Sequence, residues 1–232
     1  MCDLNKKIGI LTYNVPHRKT YDTLCLLKAK GYQNVRVFGQ PMTYEKKRQP
    51  LIKHRPEMNI GIPDSQSLCR NFGYEYCEGK FEDIISDKDS PGVFLLCGAG
   101  LLGESFVNAH RIINAHPGYI PYARGLDALK WSIWYKLPVG VSTHYLGKYI
   151  DAGEIIEIRS INVDQYDSFH SVAQRVYENE IDMLVGAIEK ENEKHEYIIP
   201  PEDSRVFKRM PEDKELLLFE RFEEYKSINI TV

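Results

Sequence analysis

Short apolar runs that alternate with stretches of helical spacing constrain this chain more than any other feature. Lys7–Thr12 is apolar and closed by the polar loop Tyr13–Thr20, so it reads as a buried strand feeding a helix over Tyr21–Lys30. Leu24, Leu27 and Ala29 are expected on the inner face of that helix, and Gly31 supplies its stop. Asn34–Phe38, Gly92–Cys97 and Arg111–His116 read as further strands, with a short helix near Leu101–His110 between the last two. Strands joined through helices pair in parallel, because each crossover returns the chain to the same end of the sheet. The expected fold class is therefore α/β, with a doubly wound, mostly parallel sheet covered on both faces.

Downstream, Gly140–Tyr145 and Gly153–Ile158 read as strands. Phe169, Val172, Val176, Leu184 and Ile188 recur at helical spacing from Ser168 to about Lys194, with Asp167 as the expected N-cap of a long helix covering the sheet. The stretch Gln40–Pro63 reads as a long loop. The tail after Glu196 is expected to form a hairpin or strand from Val206-Phe207 and Leu216–Phe219, which divides the chain into a main domain, 1–196, and an extension, 197–232.

Charge narrows the partners. Thirty Lys and Arg stand against 33 Asp and Glu, a net of −3, so nothing favours a nucleic-acid backbone. The start lacks an apolar signal core and no apolar run approaches the ~18 residues of a membrane span, so a cytoplasmic protein with no membrane partner is expected. Five scattered cysteines without metal spacing read as reduced thiols, and no metal is expected.

Two segments carry candidate chemistry. Gly98-Ala99-Gly100-Leu101-Leu102-Gly103 matches G-x-G-x-x-G after a strand, which admits a dinucleotide, a plain tight turn, or a backbone cradle for another planar ligand. A nucleotide-sugar oxidoreductase using NAD is the rival enzyme on that motif, although no ribose-binding acid follows the next strand. Asn114 and His116 stand two apart at the end of a strand, so they share a face, and Pro117 ends the pairing behind them. Taken as a pair, they fit equally a catalytic site and ordinary strand-end hydrogen bonding. Asp151 precedes small residues and an apolar strand, so it falls on a tight loop.

Asn-x-His-Pro at Asn114–Pro117, Ile-Pro-x-x-Arg-Gly at Ile120–Gly125, Gly-Val-Ser-Thr-His at Gly140–His144 and Asp-Ala-Gly at Asp151–Gly153 together resemble the formyltransferases that use N10-formyltetrahydrofolate. The resemblance spans Gly92–Ile158. It implies a Rossmann-like core at 1–196, a catalytic set of Asn114, His116 and Asp151, and a folate seated on Gly98, Ala99, Gly100 and Leu101 and on Tyr149 and Ile150. In that chemistry an amide N–H of Asn114 stabilises an oxyanion, His116 takes a proton or, protonated, stabilises the oxyanion, and Asp151 orients His116 or relays the proton while its charge raises the imidazole pKa. Sequence does not decide whether His116 or Asp151 is the proton acceptor.

Members of that family differ in the amine they formylate. The stretch after Ile158 leaves little room for the further domain of methionyl-tRNA formyltransferases, and the loop Tyr13–Lys19 lacks the glycines of glycinamide ribonucleotide formyltransferases. The resemblance is therefore nearest to enzymes of nucleotide-linked amino sugars, with dTDP-4-amino-4,6-dideoxyglucose as first candidate and surface polysaccharide (O-antigen) synthesis as the setting. Tyr122, Arg124, His144 and Arg18 are the expected substrate contacts, Trp131 and Trp134 are expected in the core, and a homodimer is expected.

Overall fold

Runs of Ile, Val, Leu and Phe without alternation make strands buried on both faces, and β1 (Ile8–Tyr13) is of that kind, buried over its first five residues. In the computed structural model, which describes residues 3–42, 49–56, 61–85, 90–100, 102–202 and 204–228, the chain divides into two units. The first is Met1–Glu45, Glu57–Asn114 and Leu184–Asn192; the second is Lys46–Pro56, Ala115–Met183 and Glu193–Val232.

In the first unit β1 pairs in parallel with β2 (Val35–Gln40) and with β4 (Val93–Leu96). β2 pairs with β3 (Glu75–Glu78), and β4 with β5 (Ile112–His116), also in parallel. The sheet order is β3-β2-β1-β4-β5, the mostly parallel architecture expected from the sequence. Helix α1 (Arg18–Ala29) begins three residues earlier than expected, and it buries Thr20, Thr23, Leu24 and Leu27. Ala29 is exposed rather than inward, because two residues beyond Leu27 is the opposite side of a helix. The elements α2 (Ser65–Phe72), β3 and α3 (Phe81–Ile84) arise in a stretch that the sequence pattern left unassigned. The carboxylate of Asp64 caps α2 by accepting from the Ser67 amide at 2.7 Å, and Gly73 ends it at φ 73°. Helix α4 (Glu104–Ala109) starts after the Gly98–Gly103 turn, of which Leu101 lies outside the described residues.

The second unit holds β6 (Arg124–Gly125), α5 (Ala128–Tyr135), β7 (Gly140–Tyr145) and β8 (Gly153–Ser160). β7 and β8 are antiparallel, and β9 (Glu196–Ile198) adds antiparallel to β8. Its core gathers Val139, Val141, Phe169, Val172, Val176, Phe207, Leu218 and Phe222. Trp131 lies in that core and donates its indole N–H to the Lys208 carbonyl at 2.7 Å, with Trp134 packed beside it. The long helix α6 runs Phe169–Lys190, and its cap is Ser168 rather than Asp167. Ser168 Oγ accepts from the Ser171 amide at 3.0 Å, while Asp167 turns to the Arg175 guanidinium at 2.7 Å.

In the tail Val206–Phe207 is a strand, as expected, β10, and it pairs in parallel with β6 rather than with Leu216–Phe219. Leu216–Phe219 lies between α7 (Glu212–Glu215) and the start of α8 (Leu218–Lys226), which turns Leu218, Phe222 and Tyr225 inward at helical spacing. Among the described residues no helix is long and apolar enough to cross a membrane.

Candidate active site

Asn114 and His116 share a face at the carboxyl end of β5, Asn114 half-buried and His116 only 4% exposed. His116 Nε2 lies 2.8 Å from the Ala123 carbonyl, which can only accept, so Nε2 carries the hydrogen. Its Nδ1 faces the Asp151 carboxylate at 3.5 Å. Burial pulls the His116 pKa below its ordinary value, opposed in part by the charge of Asp151. The Asp151 charge acts in the expected direction but burial outweighs it, which favours the neutral ring.

Asp151 sits at φ 43°, a left-handed conformation that a residue with a Cβ rarely holds. Its carboxylate accepts the Gly125 amide at 2.8 Å and lies 3.6 Å from His144 Nε2. Burial would raise its pKa, but His116, His144 and the Gly125 N–H together hold it well below the usual carboxylate range. A fixed anion therefore lies against a neutral imidazole, and between them the pair can receive a proton from an attacking nucleophile. The amide of Asn114 offers the donor that a developing oxyanion needs.

The surroundings explain how this pair is held. Ser142 and His144 stand two apart on β7, hence on one face. Ser142 Oγ donates to the Gly118 carbonyl at 2.8 Å and accepts from the Ile120 amide at 3.1 Å, which shapes the loop after His116. The β7–β8 register shifts between Thr143 and His144, a bulge of the kind that re-aims a side chain. His144 is fully buried and lies between the Tyr145 carbonyl and Asp151, so it braces the carboxylate instead of meeting a ligand at the surface.

Arg124 is also buried: only 4% exposed, its guanidinium donates to the Ile150 and Asp151 carbonyls and to Ser204. Arg18 donates to Asp22 at 2.7 Å one turn along α1. Tyr122 is 52% exposed and Ile150 58%, while Tyr149 is half-buried under the Lys148 ammonium. Gly98, Ala99 and Gly100 carry nothing larger than a methyl group. Sequence reasoning passed over Gly118, Gly125 and Ser142; the alternation of β7 and the two Gly positions beside His-Pro and Arg were the available signals.

Residues 86–188 match the formyl transferase family. Phosphoribosylglycinamide formyltransferase of Bacillus subtilis (strain 168) is 31% identical over 83 residues, 34% of this chain and 43% of that protein. dTDP-4-amino-4,6-dideoxyglucose formyltransferase of Mycobacterium bovis is 32% identical over 81 residues, 35% of each chain. The matched segment thus spans less than half the length of these curated relatives. A sugar 3N-formyl transferase solved in the presence of dTDP and 5-N-formyl-THF shares the fold, with a TM-score of 0.61 at 15% identity over 88% of this chain and 70% of that one.

Proposed function

We propose, from the premise that residues 86–188 are a formyl transferase domain, that this chain transfers a formyl group from N10-formyltetrahydrofolate to the amine of a nucleotide-linked amino sugar. dTDP-4-amino-4,6-dideoxyglucose is the first candidate acceptor, in cytoplasmic synthesis of a surface polysaccharide such as O-antigen, by a homodimer. The observation that carries the reading is the buried His116–Asp151 pair beside Asn114 on β5.

In this mechanism the acceptor nitrogen attacks the formyl carbon, a C–N bond forms, and the carbonyl oxygen becomes an oxyanion. Asn114 donates its amide N–H to that oxygen. The proton leaving the amine passes to the His116–Asp151 pair, and collapse of the intermediate breaks the bond to N10 of the folate, which takes up a proton as it leaves. Gly98, Ala99, Gly100, Leu101, Tyr149 and Ile150 would hold the folate. The fit rests on the small side chains of the described residues of that segment and on the exposed side chain of Ile150, although the Gly98 amide is itself taken by the Leu11 carbonyl at 3.0 Å. Tyr122, with its exposed ring, is the contact proposed for the sugar nucleotide. The sugar class is supported by the relative named dTDP-4-amino-4,6-dideoxyglucose formyltransferase, 32% identical over 81 residues.

Incubation with the formyl donor and a panel of nucleotide-linked amino sugars, with glycinamide ribonucleotide as a further arm, is expected to add the mass of one formyl group to a sugar. Asn114→Ala is expected to lower kcat by ~10²–10³ with KM little changed. Gain only on glycinamide ribonucleotide would displace the sugar, and gain on no acceptor would overturn formyl transfer.

A further inference from the structure

Asp151 is gripped at both its main chain and its side chain by one dipeptide. Arg124 Nε donates to the carbonyls of Ile150 at 2.9 Å and Asp151 at 3.1 Å, and a terminal nitrogen of the same guanidinium donates to Ile150 again at 2.7 Å. Gly125 donates its N–H to the carboxylate at 2.8 Å. The planar fork of an arginine delivers such parallel bonds to a kinked backbone, and a lysine does not. Without it, the left-handed conformation at φ 43° has no second main-chain support among the hydrogen bonds of the described residues.

The dipeptide is in turn seated by the tail. Arg124 Nη1 donates to Ser204 Oγ at 2.7 Å. Arg124 pairs with Val206 and Gly125 with Phe207 in the two-stranded β6–β10 sheet, and Leu126 donates to the Phe207 carbonyl at 2.9 Å. A Cβ at Gly125 would meet the Phe207 carbonyl oxygen at 2.3 Å, so the two strands leave room for glycine alone. The tail and the Asp151 loop are therefore linked by direct polar contacts through a single buried guanidinium.

We propose that Arg124 is a positioning residue for Asp151, and that the C-terminal segment Ser204–Phe207 is a working part of the site because it seats that arginine. The kinetic part of this inference rests on the formyl-transfer reading; the structural part does not. Three variants test it. Arg124→Lys keeps the charge and loses the fork, Ser204→Ala removes the tail's acceptor, and Ser204→Thr retains it. The charged and titratable groups that face His116 are Asp151, His144 and Glu180, and none is altered by these variants.

Arg124→Lys is expected to lower kcat by ~10²-fold, as a small misplacement of a catalytic group does, and Ser204→Ala by about tenfold, a lost charge-assisted hydrogen bond. KM is expected to stay constant, and Ser204→Thr to restore the rate. Independently of any activity, proton NMR of the His116 ring is expected to show its titration midpoint shifted downward in Arg124→Lys and Ser204→Ala, because the Asp151 charge that favours the imidazolium has drifted away. Folded variants with an unmoved His116 titration overturn the proposal, as does an Ser204→Ala protein that loses thermal stability while kcat and the titration hold. Should Arg124→Lys not fold, the Ser204 pair decides. Should the wild type formylate nothing, the functional reading fails and the titration still decides the positioning role.

Discussion

Gly118 shows how little space His116 is given. A Cβ at that position would lie 2.3 Å from the Ala123 carbonyl oxygen, 2.5 Å from His116 Nε2 and 2.9 Å from Ala128 Cβ, the first two being the partners of the hydrogen bond that fixes the tautomer. Gly118→Ala is expected to destabilise the protein by about 1–3 kcal/mol and to lower kcat with it, read from urea unfolding and steady-state kinetics; an unchanged midpoint would contradict this crowding. At this scale the sequence disclosed residue type but not residue duty. Asn114, His116 and Asp151 were singled out because few residue types can stabilise an oxyanion or move a proton and these three fall in ordered motifs, and the structure brings the His116 and Asp151 side chains to 3.5 Å. The burial of Arg124 was not legible, because a charge in a string of letters carries no sign of it and its acceptors lie 26 and 80 residues away. His144 was singled out as a substrate contact, and the supporting place of Ser142 beside it could have been found, since strand alternation puts the two on one face.

Elements were readable in proportion to how completely they are buried. β1, β2, β4 and β7 are runs of buried residues and announced themselves, whereas β3 has no buried residue and only Tyr76 and Cys77 between two glutamates to reveal it. Leu216–Phe219 misled in the opposite direction: four apolar residues in a row suggest a strand, yet three are exposed and only Leu218 continues the buried helical spacing of Phe222 and Tyr225. What ties the tail helices down is polar. Lys130 of α5 and Glu215 of α7 are both fully buried and paired, and Glu215 also accepts the Leu51 amide at 3.1 Å. Lys130→Met is expected to cost about 3–5 kcal/mol by stranding a buried carboxylate. The double variant Lys130→Met, Glu215→Leu is expected to recover most of that in chemical denaturation, and a double variant as unstable as the single one would refute the account.

For the whole molecule the buried titrating groups fix how stability follows pH. His54, buried beside Lys130 and Arg55, has its pKa pushed down to about 4. The folded state thus takes up this proton less readily than the unfolded chain, and the associated stability is complete above the ordinary His value of ~6.5 and is lost as pH falls toward 4, by roughly 3 kcal/mol. The carboxylate of Asp151, also held below its ordinary range, adds stability present above ~4 and lost in stronger acid. Melting temperature is therefore expected to fall between pH 6.5 and 4 in the wild type and to fall less in His54→Asn; parallel curves would show that His54 carries none of it.

The β6–β10 pair also sets an order in time. Arg124 finds Ser204 80 residues further along the chain, and a ribosome adding about 5–20 residues per second needs roughly 4–16 s to cover that interval. From Asp151 onward, the last 53 residues of that interval, a nascent chain already carries Asn114, His116 and Asp151 while the strand that secures their loop has yet to be made. Synthesis of the last contact, not of the chemistry-bearing residues, dates the birth of a finished site.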